Sequence, residues 1–391
     1  MHRKMRSFLT VLSILIGIAA IYALISFGQG LSTYVNDMSS KIGTDKLIIM
    51  AKSAGVPGTD TNFYVSKQDL DVVKKVTGIK RVIGIYTSVV EIENKKQKKY
   101  TYAISIPTGS DVKLVLDMMG IEIENGRGLK EGDKLKAVFG NSYQFDKKVF
   151  DRALKVGDKI TVNGNIVEVI GFFSPVGSAQ DDAQIYFTNE GMETMFPAMK
   201  DKYGEAFAQV QKGANATLVA EVVKEKLRKF KGEKEGEETF YVQTFEQAIA
   251  VFSTMITVIN AILLLIALVS VIVASVNIMN TMYTAVLERT NEIGIMKAIG
   301  AQNKDIATIF LFESGFLGFV GGVAGIGFGY VIAKIGGAIA AGAGYALLKP
   351  VFPWTLTVGC LLFATFVGLI SGFFPAKAAS KLKPVDALRY E

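Results

Sequence analysis

Catalysis has little to work with in this chain of 391 residues, which holds one histidine, His2, and one cysteine, Cys360. A Ser–His or Cys–His relay needs an imidazole folded against a nucleophile, and His2 sits at the extreme N-terminus beside Arg3 and Lys4. One cysteine forms no internal disulfide, and a single His with a single Cys makes no metal site. No G-x-x-x-x-G-K-[ST] phosphate loop occurs in the sequence. The stretch from Gly325 to Gly327 has no preceding strand and lies inside a long apolar run, which removes it as a nucleotide loop. Glu313 is the one acidic residue within such a run. A carboxylate there is a functional candidate by default, but with no basic residue near it inside the spans its expected role is a structural hydrogen bond. Mixed chemistry concentrates instead in residues 287–301, which read LERTNEIGIMKAIGA. The spacing predicts a short helix from Asn291 to Ile299, stopped by Gly300 in the position of a left-handed cap. Ile293, Met296 and Ile299 are expected along one face, with Glu292 and Lys297 elsewhere. Such a surface needs a partner or the lipid interface.

The elements that position this stretch are membrane helices. Half of the residues are hydrophobic, only 20% are charged, and the charges cluster mid-chain. Four apolar runs reach the ~20 residues that cross the hydrocarbon: residues 8–27, 249–279, 306–335 and 356–374. The first is longer than a signal-peptide core and no A-x-A site follows it, so it is expected to be retained. Small residues recur at four-residue spacing in three of them: Ser13 and Gly17; Gly321, Gly325 and Gly329; Gly368 and Gly372. Such faces let helix backbones approach closely, and are expected to leave surface for a second copy of the chain.

Charge placement sets the topology. Residues 30–247 carry 31 basic and 30 acidic side chains, against +7 for the whole chain. The excess lies in short flanks: Arg3, Lys4 and Arg6, then Arg289, Lys297 and Lys304, then Lys377, Lys381, Lys383 and Arg389. Short Lys/Arg-rich segments stay in the cytoplasm, which places residues 1–7, 280–305 and 375–391 inside and residues 28–248 and 336–355 outside. The basic balance gives no support to nucleic-acid binding.

The expected architecture is an α-helical membrane domain of four transmembrane helices plus a large α+β extracytoplasmic domain inserted between helices 1 and 2. In that insert residues 68–76 read as a helix, 80–93 as one strand and 100–106 as a second. Lys95, Lys96, Lys98 and Lys99 read as a solvated hairpin tip. Asn163-Gly164 between two β-branched runs predicts a type I′ hairpin. Residues 224–238 read as a helix entering a charged loop. Leu31, Tyr34, Val35, Met38 and Ile42 extend the first helix outward, and Thr244 with Gln247 has capping-box spacing for a long return helix.

Residues 288–301 resemble the cytoplasmic signature of the MacB/FtsX-like permeases of the ABC transporter superfamily, E-R-x-x-E-I-G-[IL]-x-[KR]-A-[IL]-G-A. The one departure is Met296, where a basic residue is common. The GRGL run at residues 126–129, AVFG at 137–140 and the ending from Pro375 to Glu391 are similar to the family as well, so the resemblance spans the chain. It implies a homodimeric permease without chemistry of its own, driven by two copies of a separate ABC ATPase that carries ATP and Mg. Glu288, Arg289, Glu292, Ile293, Gly294, Ile295, Lys297, Ala298, Ile299 and Gly300 would couple to that ATPase. Glu292 and Lys297 are expected to make polar contacts, and Ile293, Ile295 and Ile299 apolar ones. The family passes ATP-driven motion to the outer domain to export or extract a peptide, lipoprotein or amphiphile. The alternative within the same architecture is a regulator of an extracytoplasmic cell-wall hydrolase, and a membrane-anchored enzyme or receptor is the third class. Lipid and an outer substrate or accessory protein complete the expected partners.

Overall fold

The first helix, α1, runs His2–Ile42 without a break, well past the apolar run that defines it. The computed structural model describes residues 2–43, 45–52, 63–345 and 348–385, with residues 2–7, 38–42 and 267 described by their backbone. Arg389 therefore lies outside the described residues, as do the side chains of Arg3, Lys4, Arg6, Met38 and Ile42. After α1 come β1 (Lys46–Ala51), β2 (Val65–Ser66), α2 (Lys67–Lys74), β3 (Ile79–Ile85), β4 (Thr87–Asn94) and β5 (Gln97–Ile106). They lead to α3 (Val112–Met119), β6 (Ile123–Gly126), β7 (Lys136–Phe139), β8 (Lys159–Val162), β9 (Asn165–Phe173) and β10 (Ile185–Thr188). Next are α4 (Asn189–Met195), β11 (Lys202–Tyr203), β12 (Glu205–Val210), α5 (Ala216–Lys231) and β13 (Phe240–Thr244). The chain ends with α6 (Phe245–Glu288), α7 (Thr290–Ala298), α8 (Asn303–Gly342) and α9 (Trp354–Ser380). It divides into two units: residues 1–33, 254–342 and 348–391, and residues 34–253 with 343–347.

In the outer unit two sheets share the work. The first is open and antiparallel, in the order β13-β1-β12-β3. The helices α2 and α5 supply Val73, Val219, Val223 and Leu227 to one core with Leu47, Ile49, Ala206 and Ala208 of the sheet. On a second core, Leu114, Val115 and Met118 of α3 meet Ile83, Ile85 and Phe207. The second sheet runs β6-β9-β7-β10-β5-β4-β8, and β8 also pairs with β9, so six strands close into a barrel. Glu168 of β9 stands at the closure, opposite Lys136 of β7 and Lys159 of β8. Val90, Ile92, Phe139, Val162, Val167, Val169 and Phe187 fill a buried core built from these strands.

Two local readings differ from expectation in instructive ways. Residues 80–93 are two strands, split at Tyr86: β3 belongs to the open sheet and β4 to the barrel. Tyr86 marks the crossing, its amide donating to Ser105 Oγ and its hydroxyl to Glu193. The hairpin at β4–β5 turns on Lys95 and Lys96 alone, both with positive φ, while Lys98 and Lys99, expected in its tip, lie in β5; Asn163 and Gly164 make the expected turn at β8–β9. The Thr244 box also forms: its amide donates to Gln247 Oε1, and the Gln247 amide donates back to Thr244 Oγ1.

Among the described residues, four helices in the other unit are long and apolar enough to cross a membrane. Their small residues are spent within the chain, which corrects the expectation that these faces leave surface for a second copy. A Cβ at Gly321, Gly325 or Gly329 would stand 2.7–2.9 Å from Ile14 Cβ, the Leu15 or Ala19 carbonyl oxygen of α1. A Cβ at Gly368 would stand 2.5 Å from the Ser314 carbonyl oxygen of α8, and one at Gly372 would run into the Ser314 side chain. Ser13 accepts from Asn277 of α6 at 3.0 Å, and a Cβ at Gly17 would lie 3.9 Å from Ser270. Thr10 and Thr281 share a 2.6 Å hydroxyl hydrogen bond beside them. With lipid no less apolar than leucine, close backbone approach and such hydrogen bonds hold the bundle together.

Candidate functional site

A short helix at the end of the bundle gathers most of the residues singled out in the sequence. The long helix α6 stops at Glu288, and α7 starts one residue later with Arg289 at its N-cap. Arg289 breaks the geometry only slightly, since its amide still donates to Ala285 and Val286 and its carbonyl accepts from Ile293. At the other end Gly300 takes φ +109°. Its amide donates to the Lys297 carbonyl, and the Ala301 amide to that of Met296. This paired reversal ends a helix where only glycine turns without strain.

Each face of α7 has a distinct task. At about 100° per residue, Arg289, Ile293 and Lys297 follow one another at roughly 40° steps and so share an arc of roughly 80°, while Ile295 points the opposite way. Ile293 is 0% exposed, packed in a core that contains Val286, Ile306, Phe310, Ala376 and Ala379. Gly294 is buried beside it. Arg289 donates to both carboxylate oxygens of Glu313 on α8, at 2.9 and 3.4 Å. Lys297 Nζ donates to the carbonyls of Ser380 and Leu382, at 2.5 and 2.7 Å, at the C-terminal end of α9. That end carries the negative pole of the helix dipole, which favours a cation.

Glu313 accepts the structural hydrogen bonds expected of it, from a partner supplied by the loop and not by a span. Two other expectations change. Lys297 is committed to α9 and Ile293 to the chain's own core, so neither forms part of the outward surface. That surface consists of Glu292, Ile295, Ala298 and Ile299, with Glu288 and Leu287 at the end of α6. Ile295 is 55%, Leu287 74% and Ile299 82% exposed. Leu287 opens that stretch in the sequence but is not among the residues expected to couple, because its apolar character merges with the preceding span.

Residues 7–226 match the family model for a MacB-like periplasmic core domain, and residues 264–384 match that for the FtsX-like permease C-terminal region. An uncharacterised ABC transporter permease of Methanocaldococcus jannaschii is 36% identical, over all of this chain and 95% of its own length. The chain belongs to the MacB/FtsX-like ABC transporter permeases. The permease YknZ of Bacillus subtilis is 30% identical, over 99% of this chain and 96% of its own. The macrolide export ATP-binding/permease protein MacB of Bdellovibrio bacteriovorus is 28% identical over 99% of this chain, which spans 60% of that protein.

Elsewhere in the permease, the outer unit's motifs are architectural. Arg127 donates to both carboxylate oxygens of Asp133, at 2.7 and 3.0 Å, and holds that carboxyl below the usual range. Gly126, with φ +79°, lies so close to the Ile170 carbonyl that no side chain fits. No cluster of three or more metal-ligating side chains occurs among the described residues. Glu205 of β12 is the outer unit's unusual acid, because burial pushes its carboxyl up to about 7. Between pH 4.5 and 7 the folded state then holds a proton that the unfolded state has lost, so this group's contribution to stability falls as pH rises. Glu205→Gln is expected to stabilise the outer unit by on the order of 1–3 kcal/mol at pH 8, and not at pH 4.5. Amide exchange of β12 in the full chain at the two pH values measures this, and an equal gain at both would refute it.

Proposed function

We propose that this permease couples a separate ABC ATPase to its outer domain, with the ATPase docked on the outward surface of α7. The supporting observation is the division of α7 into a face built into the bundle and an apolar face, Ile295 and Ile299, left exposed. Exposed isoleucines at the end of a membrane bundle suit a protein groove that excludes water. The name of the Bdellovibrio relative joins ATP binding to permease activity, which supports pairing this chain with such a motor. ATP and Mg reside on the ATPase, two copies of which serve a homodimer of the permease. Nucleotide-driven closure moves α7 and the bundle, and α1 and α6, each continuous into the outer unit's sequence, carry the motion onward. The substrate is a peptide, lipoprotein or amphiphile taken up on the outer side for export or extraction. Both termini and α7 face the cytoplasm of a cell membrane.

Topology and docking are tested together. Single cysteines replace Lys96 and Ile299, both exposed, in a Cys360→Ser background. An impermeant thiol reagent on intact cells is expected to label the Lys96 position and spare the Ile299 position. Purified wild-type permease in nanodiscs is expected to bind an ABC ATPase from the same cell and stimulate its turnover. Reversed labelling, or no such ATPase retained, would overturn the reading.

A further inference from the structure

We infer that Arg289 and Lys297 are positioning residues that fasten α7 to two different helices, so that α7 moves with α8 and α9 and not as a loose arm of α6. This rests on the reading that α7 receives the ATPase. Three attachments hold the helix, one at each end and one between. Arg289, at the joint between α6 and α7, meets Glu313 of α8 with two hydrogen bonds. Lys297, in the last turn, closes on the final carbonyls of α9. Ile293 sits between them in a core shared with Ile306, Phe310, Ala376 and Ala379.

The need for such fastening follows from α6. Along its length Val258, Ile262, Leu265, Val269, Ile272 and Val276 are exposed to the surroundings of the bundle. The opposite face of α6, with Ala274, Ile278, Met282 and Val286, packs in the bundle core, so a load applied to α7 through α6 alone would be held on one side and meet yielding lipid on the other. Applied through Arg289 and Glu313, the same load reaches α8, whose Gly325 and Gly329 lie against the α1 backbone, and Gly321 against Ile14, with no space to take up a displacement. Loaded from α9 through Lys297, it reaches the same helix, because Gly318 and Gly368 bring α8 and α9 into backbone contact. The charged residues of the loop thus serve transmission, and its exposed apolar residues serve attachment. The pair's chemistry suits the role: a bidentate guanidinium–carboxylate contact is directional, and either charge left alone beside apolar helices is costly.

The test separates attachment from transmission in full-length permease in nanodiscs, with the ATPase that co-purifies with the wild type. Glu313→Gln and Lys297→Met are each expected to keep the ATPase Kd within about twofold of wild type while stimulated turnover falls about fivefold or more. Exchanging the charges, Arg289→Glu with Glu313→Arg, is expected to recover most of the stimulation lost by either single change. Ile299→Asp is the contrasting control and is expected to lose binding. Wild-type stimulation in both Glu313→Gln and Lys297→Met would overturn the inference alone. So would parallel loss of affinity and stimulation, which would place these residues in the docking surface. Failure of the exchange to recover stimulation in a protein that melts like wild type would overturn the pairing. A wild-type permease that binds no ATPase would instead sink the reading beneath it.

Discussion

Gly329→Val is expected to unfold the contact between α1 and α8 and to cost the bundle a large part of its stability. A Cβ at this position would stand 2.7 Å from the Ala19 carbonyl oxygen and 3.0 Å from Ala19 Cα. Both are backbone atoms of a neighbouring helix, so no rotamer relieves the clash and the helices must separate. Overpacking a tight core costs about 1–3 kcal/mol even where side chains can shift, and the cost here lies at or above the top of that range. Gly17→Ala is the matched control. Its new methyl would meet Ser270 at 3.9 Å, an ordinary contact, and the variant is expected to melt within a degree or two of wild type, a shift of about 0.5 kcal/mol or less. Thermal unfolding in a mild detergent reads both. Equal midpoints for Gly329→Val and Gly17→Ala would mean that α8 does not approach α1 as described.

The second large effect divides two isoleucines that are two residues apart. Ile293→Asp places a carboxylate in a fully buried apolar core and is expected to destabilise the membrane unit by about 3 kcal/mol or more. Ile295→Asp changes a side chain that is 55% exposed, so its effect on folding is expected to stay within about 0.5 kcal/mol. Its effect on ATPase binding is expected to be large, about tenfold or more in Kd, because a desolvated charge in an apolar contact is unfavourable. Melting midpoints and ATPase titrations on the same preparations distinguish the two. If Ile293→Asp melts like wild type and Ile295→Asp binds like wild type, the division of α7 into inward and outward faces is wrong.

That division shows where sequence reading ran short. Ile293, Met296 and Ile299 invite grouping because they recur every third residue. Six residues advance a helix by about 600°, however, so Ile299 lies ~120° away from Ile293 around the axis. The same arithmetic, applied to Lys297, would have turned it inward with Ile293. The Arg289–Glu313 partnership carried no such signal, since it joins a helix cap to a position two dozen residues further along the chain. Local devices were legible: the Thr244–Gln247 box, the Asn163–Gly164 turn and the cap at Gly300 each depend on residues within a few positions of one another. The glycine spacing on α8 announced close packing, but spacing alone does not say whether the neighbour is α1 or another copy. In the outer unit, period-two alternation continued through Tyr86, because a strand that leaves one sheet and enters another keeps its pleat. Barrel closure was hidden for the same reason: alternation reports which side is buried and not which strand lies alongside.

The closure has a consequence for what the outer unit can hold. Each strand of the ring formed by β9, β7, β10, β5, β4 and β8 has neighbours on both sides, so the ring offers an incoming chain no row of unpaired amides. The open sheet keeps two margins. On β3 the side-chain amides of Asn189 and Gln211 already donate to the carbonyls of Gly84 and Ile79. The other margin is β13, whose residues pair only with β1 among the described strands. It ends where α6 begins, and there the Thr244 amide already donates to Gln247 Oε1, so the box that starts the helix also closes the end of this margin.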